Sequence, residues 1–179
     1  SISADASSIN ISCNGANDGQ ATASLIQGTG TPTYEWSNGA ITSSLTNLGA
    51  GIFTVIITDG NNCPSIQEVT IVEPSLIVTN VVNIVDVICA NATDGSATVN
   101  AQGGIGTLTY QWSTGATTAA ATDLSAGTYT ATVTDGNFCS TTTTVEIISN
   151  DNVMPQAVSQ NVTISLDANG EANLSSIMV

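Results

Sequence analysis

The sequence contains no lysine, no arginine and no histidine against fourteen carboxylates, which gives a formal net charge of -14. No side-chain salt bridge can form within it. Phosphate backbones and anionic lipid surfaces are held by cationic side chains, so nucleic acid and polybasic membrane adsorption are excluded as modes of binding. The missing residues also remove the usual neutral-pH general base, the imidazole metal ligand, the arginine clamp and the Schiff-base lysine. Isopeptide crosslinks, which consume a lysine, go with them. Nor is there an apolar run approaching the roughly 18 residues of a membrane-spanning helix, so membrane insertion is not expected. No start methionine or secretory leader stands at the beginning, and the chain reads as an interior piece of a longer mature protein.

What is present is dense in Val, Ile and Thr. Charged residues are only 8% of the chain, but a hydrophobic fraction of 41% argues for packed strands rather than disorder. The order is repetitive. TVIITDGNNC at 54–63 returns as TATVTDGNFC at 130–139, and a shift of 76 superimposes residues 13–72 on 89–148 without a gap, 28 of the 60 positions being identical. The matches are mainly Gly, Asp-Gly, Trp, Tyr and Leu48/Leu124, while the strand bodies between them vary. That is how a duplicated structural unit looks.

Within each unit apolar residues alternate: Phe53, Val55 and Ile57 share one strand face, and Tyr129, Ala131 and Val133 share its counterpart. Nothing repeats at the helical period. Strands are expected near 7–12, 20–26, 33–37, 41–46, 52–58 and 64–72, and again 76 residues on, with Asp59-Gly60 and Asp135-Gly136 as hairpin turns tolerant of positive φ. The fold class implied is all-β: tandem Ig-like β-sandwich modules of about six to seven short antiparallel strands each, with one intramodule disulfide apiece. Glu73-Pro74-Ser75 marks the joint, giving modules at 1–73 and 74–149. From 150 to 179 the register fails and a third, different β module begins, with two strands around the turn Asp167-Ala168-Asn169-Gly170.

Four cysteines, Cys13, Cys63, Cys89 and Cys139, allow three pairings, and buried free thiols are the alternative. Pairing inside each unit, Cys13 with Cys63 and Cys89 with Cys139, is expected as the only choice that preserves the duplication. It also follows if six strands run alternately up and down, because the first and fifth then end at one pole. Closing about 50 residues corresponds to about 4 kcal/mol in the chain-entropy model and implies an oxidising, extracytoplasmic setting.

The same up-and-down arrangement gathers Asn17, Asp18, Asp59 and Asn61 at one pole, and Asp94, Asp135 and Asn137 in the second unit. Oxygen ligands of this kind can take Ca²⁺, whereas Asp and Asn also occupy turns simply because they bond their own backbone. No complete DxDxDG loop is present, and no cofactor is otherwise expected. Trp36 and Trp112 read as core residues, with sugar-stacking platforms as the alternative, and the Thr-rich faces around Thr128, Thr130, Thr132 and Thr134 as the solvent side of a strand. With the repeated acids in turns, no phosphate-binding loop and no histidine for a triad, the chain is not expected to be an enzyme.

The order C-x4-DG-x-AT, Tyr-x-Trp-Ser-x-Gly-Ala, Leu-x-Ala-Gly-x-(Phe/Tyr)-Thr and Thr-Asp-Gly-Asn-x-Cys resembles the SprB-type repeat of Bacteroidetes cell-surface adhesins involved in gliding motility. It covers both units, about residues 1–149. Departures are Gly28-Thr29-Gly30-Thr31-Pro32-Thr33-Tyr34 in place of a proline-rich Gly-Gly-x-Pro-Pro-Tyr turn, and Leu108 where the first unit has Pro32. The tail is similar to the start of a hyalin-repeat-like module. The resemblance implies a long, modular filament, secreted by the type IX route and displayed at the bacterial cell surface. Its partners would be neighbouring modules of the same chain, with surface glycans or other cell-surface proteins as ligands. The function expected is therefore a structural stalk segment of such an adhesin. Two alternatives are carbohydrate-binding modules of a secreted polysaccharide-active protein and a filament subunit that assembles by strand exchange.

Overall fold

The computed structural model describes residues 2–89 and 91–150; the expected third module at 150–179 lies outside the described residues save for its first. Among the described residues, twelve strands form two copies of one pattern. In the first copy β1 (Ser3–Ile9), β2 (Gly19–Gln27) and β4 (Ser44–Leu48) make one antiparallel sheet, while β3 (Thr33–Trp36), β5 (Gly51–Thr58) and β6 (Pro64–Ile71) make the other. In the second, β7 (Val78–Val85), β8 (Gly95–Gln102) and β10 (Ala120–Leu124) face β9 (Thr109–Trp112), β11 (Gly127–Thr134) and β12 (Ser140–Ile147). This strand order is the Ig-like sandwich with its fourth strand missing: A-B-E on one side and C-F-G on the other.

Each sandwich has its own core. Under the 76-residue shift, Ile11, Ala21, Ala23, Trp36, Leu45, Leu48, Val55, Ile57, Val69 and Ile71 fall on ten buried residues of the second core, from Val87 to Ile147. Five of the ten differ in size: Ile11, Leu45, Val55 and Ile57 become the smaller Val87, Ala121, Ala131 and Val133, and Ala23 becomes the larger Val99. The expected alternation in β5 and β11 is observed, Val55 and Ile57 being fully buried beside exposed Ile52 and Ile56.

Both tryptophans are core residues, 2% exposed, and each explains its surrounding motif. The Trp36 indole N–H donates to the Thr42 carbonyl at 2.8 Å and Trp112 to Thr118 at 3.0 Å. The intervening Ser-x-Gly-Ala folds back through Gly39, at φ 85°, with the Trp36 N–H donating to the Ala40 carbonyl at 2.8 Å. This segment, 37–43, carries the chain from one sheet to the other instead of turning it back.

That crossover corrects the expected strand directions. β3 is antiparallel to β5, and β4 to β2, while Ile11 donates to the Val72 carbonyl at 3.1 Å alongside the end of β6. Consequently β1, β3, β4 and β6 all run from the inlet pole, where the chain enters the sandwich, to the outlet pole, where it leaves; β2 and β5 run back. Cys13 follows β1 at the outlet pole, and Cys63 follows β5 at the inlet pole. An up-and-down count of six strands places them together only because it treats 37–43 as a reversal.

Candidate functional site: the joint between the sandwiches

The loop from Ser12 to Asp18 closes the outlet pole of the first sandwich. Asp18 accepts the Ser12 backbone N–H at 3.0 Å together with its hydroxyl, and these bonds, the hydroxyl first, hold its carboxyl below the ordinary Asp value. The same loop grips the departing chain. Asn14 donates its amide to the Pro74 carbonyl at 2.9 Å, and the Gly15 N–H donates to the Glu73 carboxylate. The β6 ladder ends at Ile71 opposite Gly51; Val72 then donates its N–H to the Asn10 side chain and accepts the Ile11 N–H, and Pro74, with no N–H, does not resume pairing.

The inlet pole of the second sandwich is built around Asp135, 5% exposed, in the five-residue β11–β12 loop. One carboxylate oxygen accepts the N–H groups of Asn137 and Cys139, both at 2.9 Å; the other accepts that of Ile105 at 2.9 Å. These donors, Ile105 first, hold the carboxyl below its ordinary value against the opposing effect of burial. Asp59 repeats the device at the first inlet pole, with Cys63, Thr29 and Asn61 as donors and a lowered carboxyl whose largest cause is the Cys63 N–H.

The Asp-Gly pairs are therefore loop-closing elements, and their glycines are not the left-handed residues expected. Positive φ falls three residues after the Asp, at Asn62 (60°) and Phe138 (65°). Glycine is needed at 60 and 136 for close approach instead: a Cβ there would lie 2.9 Å from the backbone oxygen of Thr29 or Ile105 respectively.

The two poles meet. Cys13 and Cys139 form a disulfide with Cα atoms 5.6 Å apart, and the Asn137 amide donates to the Ser12 carbonyl at 3.1 Å. The linker joins in, the Gly104 N–H donating to the Ser75 carbonyl at 2.9 Å. Gly103, at φ 95°, lies so close to the linker that a Cβ would come within 2.0 Å of the Leu76 oxygen. Beside the bond lies an open cleft of about 370 Å³ bordered by Asn14, Pro74, Leu76 and Phe138.

This arrangement overturns the intramodule pairing. Cys13 bonds across the joint to Cys139, leaving Cys63 and Cys89 free and exposed. The physical reason is the pole parity above: within one sandwich the two cysteines stand at opposite ends. The expected clustering of calcium candidates fails for the same reason, since Asn17 and Asp18 lie at an outlet pole and Asp59 and Asn61 at an inlet pole. Asp59 and Asp135 spend their oxygens on backbone N–H groups, and Asn137 spends its side-chain amide on Ser12. Asp94 lacks the first unit's loop-closing hydroxyl, because Ile88 stands where Ser12 does. No group of three or more acidic, Cys or His side chains converges as a metal site among the described residues.

The family model of the SprB repeat matches residues 6–41 and 81–117, which are corresponding stretches of the two sandwiches from within the first strand into the crossover. Each sandwich thus contains a stretch similar to the SprB repeat. No curated protein matches it by sequence. Among solved structures, the C-terminal 282-residue fragment of intimin, in complex with the intimin-binding domain of its translocated receptor Tir, is 19% identical. That alignment covers 85% of this chain and 64% of that fragment, with a TM-score of 0.39. The Dpr11 IG1 complex with DIP-gamma is 11% identical over 80% of this chain and 98% of that one, with a TM-score of 0.31. The fold assignment rests on the strand order, not on these likenesses.

Proposed function

We propose that the two repeats, with their boundary at residues 73/74, are a structural stalk segment of a long bacterial cell-surface adhesin, holding a binding or motility-coupled surface away from the cell. The observation that carries this reading is the joint. A disulfide, a side-chain hydrogen bond and a gripped linker fix two sandwiches end to end, a device whose effect is to control length and angle. The matches to the SprB repeat support display at the surface. The carbohydrate-binding reading loses its main aromatic candidates, since both tryptophans are buried.

Small-angle X-ray scattering tests the proposal. The oxidised chain is expected to give one narrow distribution of maximum dimension that persists across salt concentrations. Cys13→Ser is expected to broaden it while leaving each sandwich folded by circular dichroism. Indistinguishable distributions would remove the rigid joint and the stalk reading with it. Retention of the oxidised chain on bacterial polysaccharide would instead favour the binding-module alternative.

A further inference from the structure

The bond that joins the sandwiches obeys the repeat. It links the outlet cysteine of one repeat, Cys13, to the inlet cysteine of the next, Cys139, across 126 residues. The shift of 76 maps Cys13 onto Cys89 and Cys139 onto Cys63, the two cysteines left free. Cys89 is thus the outlet cysteine of the second sandwich and Cys63 the inlet cysteine of the first, each without a partner among the described residues.

Both free thiols sit in the backbone setting of their bonded counterparts. The Ala92 N–H donates to the Cys89 carbonyl at 2.9 Å, as that of Ala16 does to Cys13 at 3.0 Å. Cys63 donates its N–H to Asp59 at 2.9 Å, as Cys139 does to Asp135 at 2.9 Å, and each carbonyl accepts the N–H of the same Asp. The accompanying polar contact is also available. Asn61 stands where Asn137 does, and its acceptor is a backbone carbonyl, which Ile88 supplies as well as Ser12. Where the joint has formed, both cysteines are half-buried; where it has not, both are exposed.

We infer that Cys63 and Cys89 are the two halves of the same staple, each taking the complementary cysteine of a repeat of this kind brought against its pole, inlet to outlet; because a different module without cysteine is expected from residue 150, the partner of Cys89 comes from a second chain, and repeats are crosslinked wherever two abut. Forming each bond joins two thiol sulfurs and releases two protons and two electrons. A small-molecule disulfide such as oxidised glutathione accepts them and leaves as two thiols. The inference concerns the cysteines and the joint, and stands independently of what the crosslinked repeats carry.

The test is a chain with one repeat added, made by inserting a second copy of residues 73–148 after residue 148, so that every joint keeps the Glu-Pro linker. It is oxidised in glutathione buffer and its free thiols counted. Six cysteines with two free thiols and two bonds, each spanning 126 residues, is the expected result, against two free thiols and one bond in the original chain. Four free thiols, or any bond within a repeat, overturns it. Bond positions come from Asp- and Glu-directed proteolysis, because trypsin has no site.

A second arm uses the original length. Cys63→Ser and Cys89→Ser chains, each left with one free cysteine and mixed at equal concentration, are oxidised at 0.15 M salt or above to screen the like charges. The mixed Cys89–Cys63 dimer is expected to exceed the two homodimers together by several-fold. A mixed share at or below the half that random pairing gives, or the absence of dimers, counts against the inference.

Discussion

At positions 59 and 135 a single carboxylate closes a five-residue loop by accepting backbone N–H groups from both sides of it. Because those donors favour the charged form, the folded value lies below that of the unfolded chain. The stability contributed is then fully present above the ordinary Asp value of 3.8 and is lost as pH falls through the lowered folded value. With no histidine or lysine to titrate, melting temperature should be flat from neutral pH to about 5 and fall steeply below about 4. Asp135→Asn should lower the melting temperature at pH 7 and shrink the acid-side fall, since its amide nitrogen presents a donor where the carboxylate accepts. A profile unchanged by that substitution would remove the loop-closing role.

Phe138 holds φ at 65°, a conformation that its counterpart Asn62 adopts with less strain, and it is 88% exposed, so little burial offsets the strain. Phe138→Asn should therefore stabilise the second sandwich by about 1 kcal/mol, read from denaturant midpoints. Destabilisation of similar size would mean that the ring contributes packing at the joint cleft.

At the scale of elements, close approach dominates. The loops at 28–30 and 104–106 press against the Asp-Gly loops, and Gly136 is fitted by contact, without a left-handed φ. Gly136→Ala should cost about 1–3 kcal/mol, because the obstructing atom is a backbone oxygen that cannot swing away. Gly115→Ala is a useful contrast: nothing lies within 4 Å, and only the strain of φ 93° opposes it.

The strands themselves were legible where alternation and turn chemistry act locally. β5, β6 and their counterparts fall close to the expected spans, and the ten paired core positions follow from the duplication. The first strand lies earlier than expected, at Ser3–Ile9, because Asn10 turns its side chain to the Val72 N–H and carries the chain across to β6. Segment 37–43 was the decisive failure. A glycine turn that reverses a strand and one that carries it to the opposite sheet have the same local composition, and only the distant partners β2 and β5 separate them. The cysteine pairing inherited that ambiguity. A pairing between successive repeats respects the duplication as fully as one inside each repeat, but it becomes visible only once the poles are assigned.

For the whole molecule, the Cys13–Cys139 bond closes a covalent ring through both sandwiches, and this decides how the chain bears load. Tension applied at the two ends passes through the sulfurs and bypasses everything between them. The sheltered stretch, a separation of 126 residues, amounts to about 430 Å of extended chain at roughly 3.4 Å per residue. Intramodule bonds would shelter two rings of 50 residues each, about 170 Å apiece at the same rise. Stretching single molecules before and after reductant separates these cases. The joint seen here gives one release of about 430 Å on reduction, whereas two steps of about 170 Å would restore the intramodule pairing. In the oxidised chain only β1, β12 and the ends outside the ring can be peeled away, so neither sandwich can be drawn out to its full length while the bond holds.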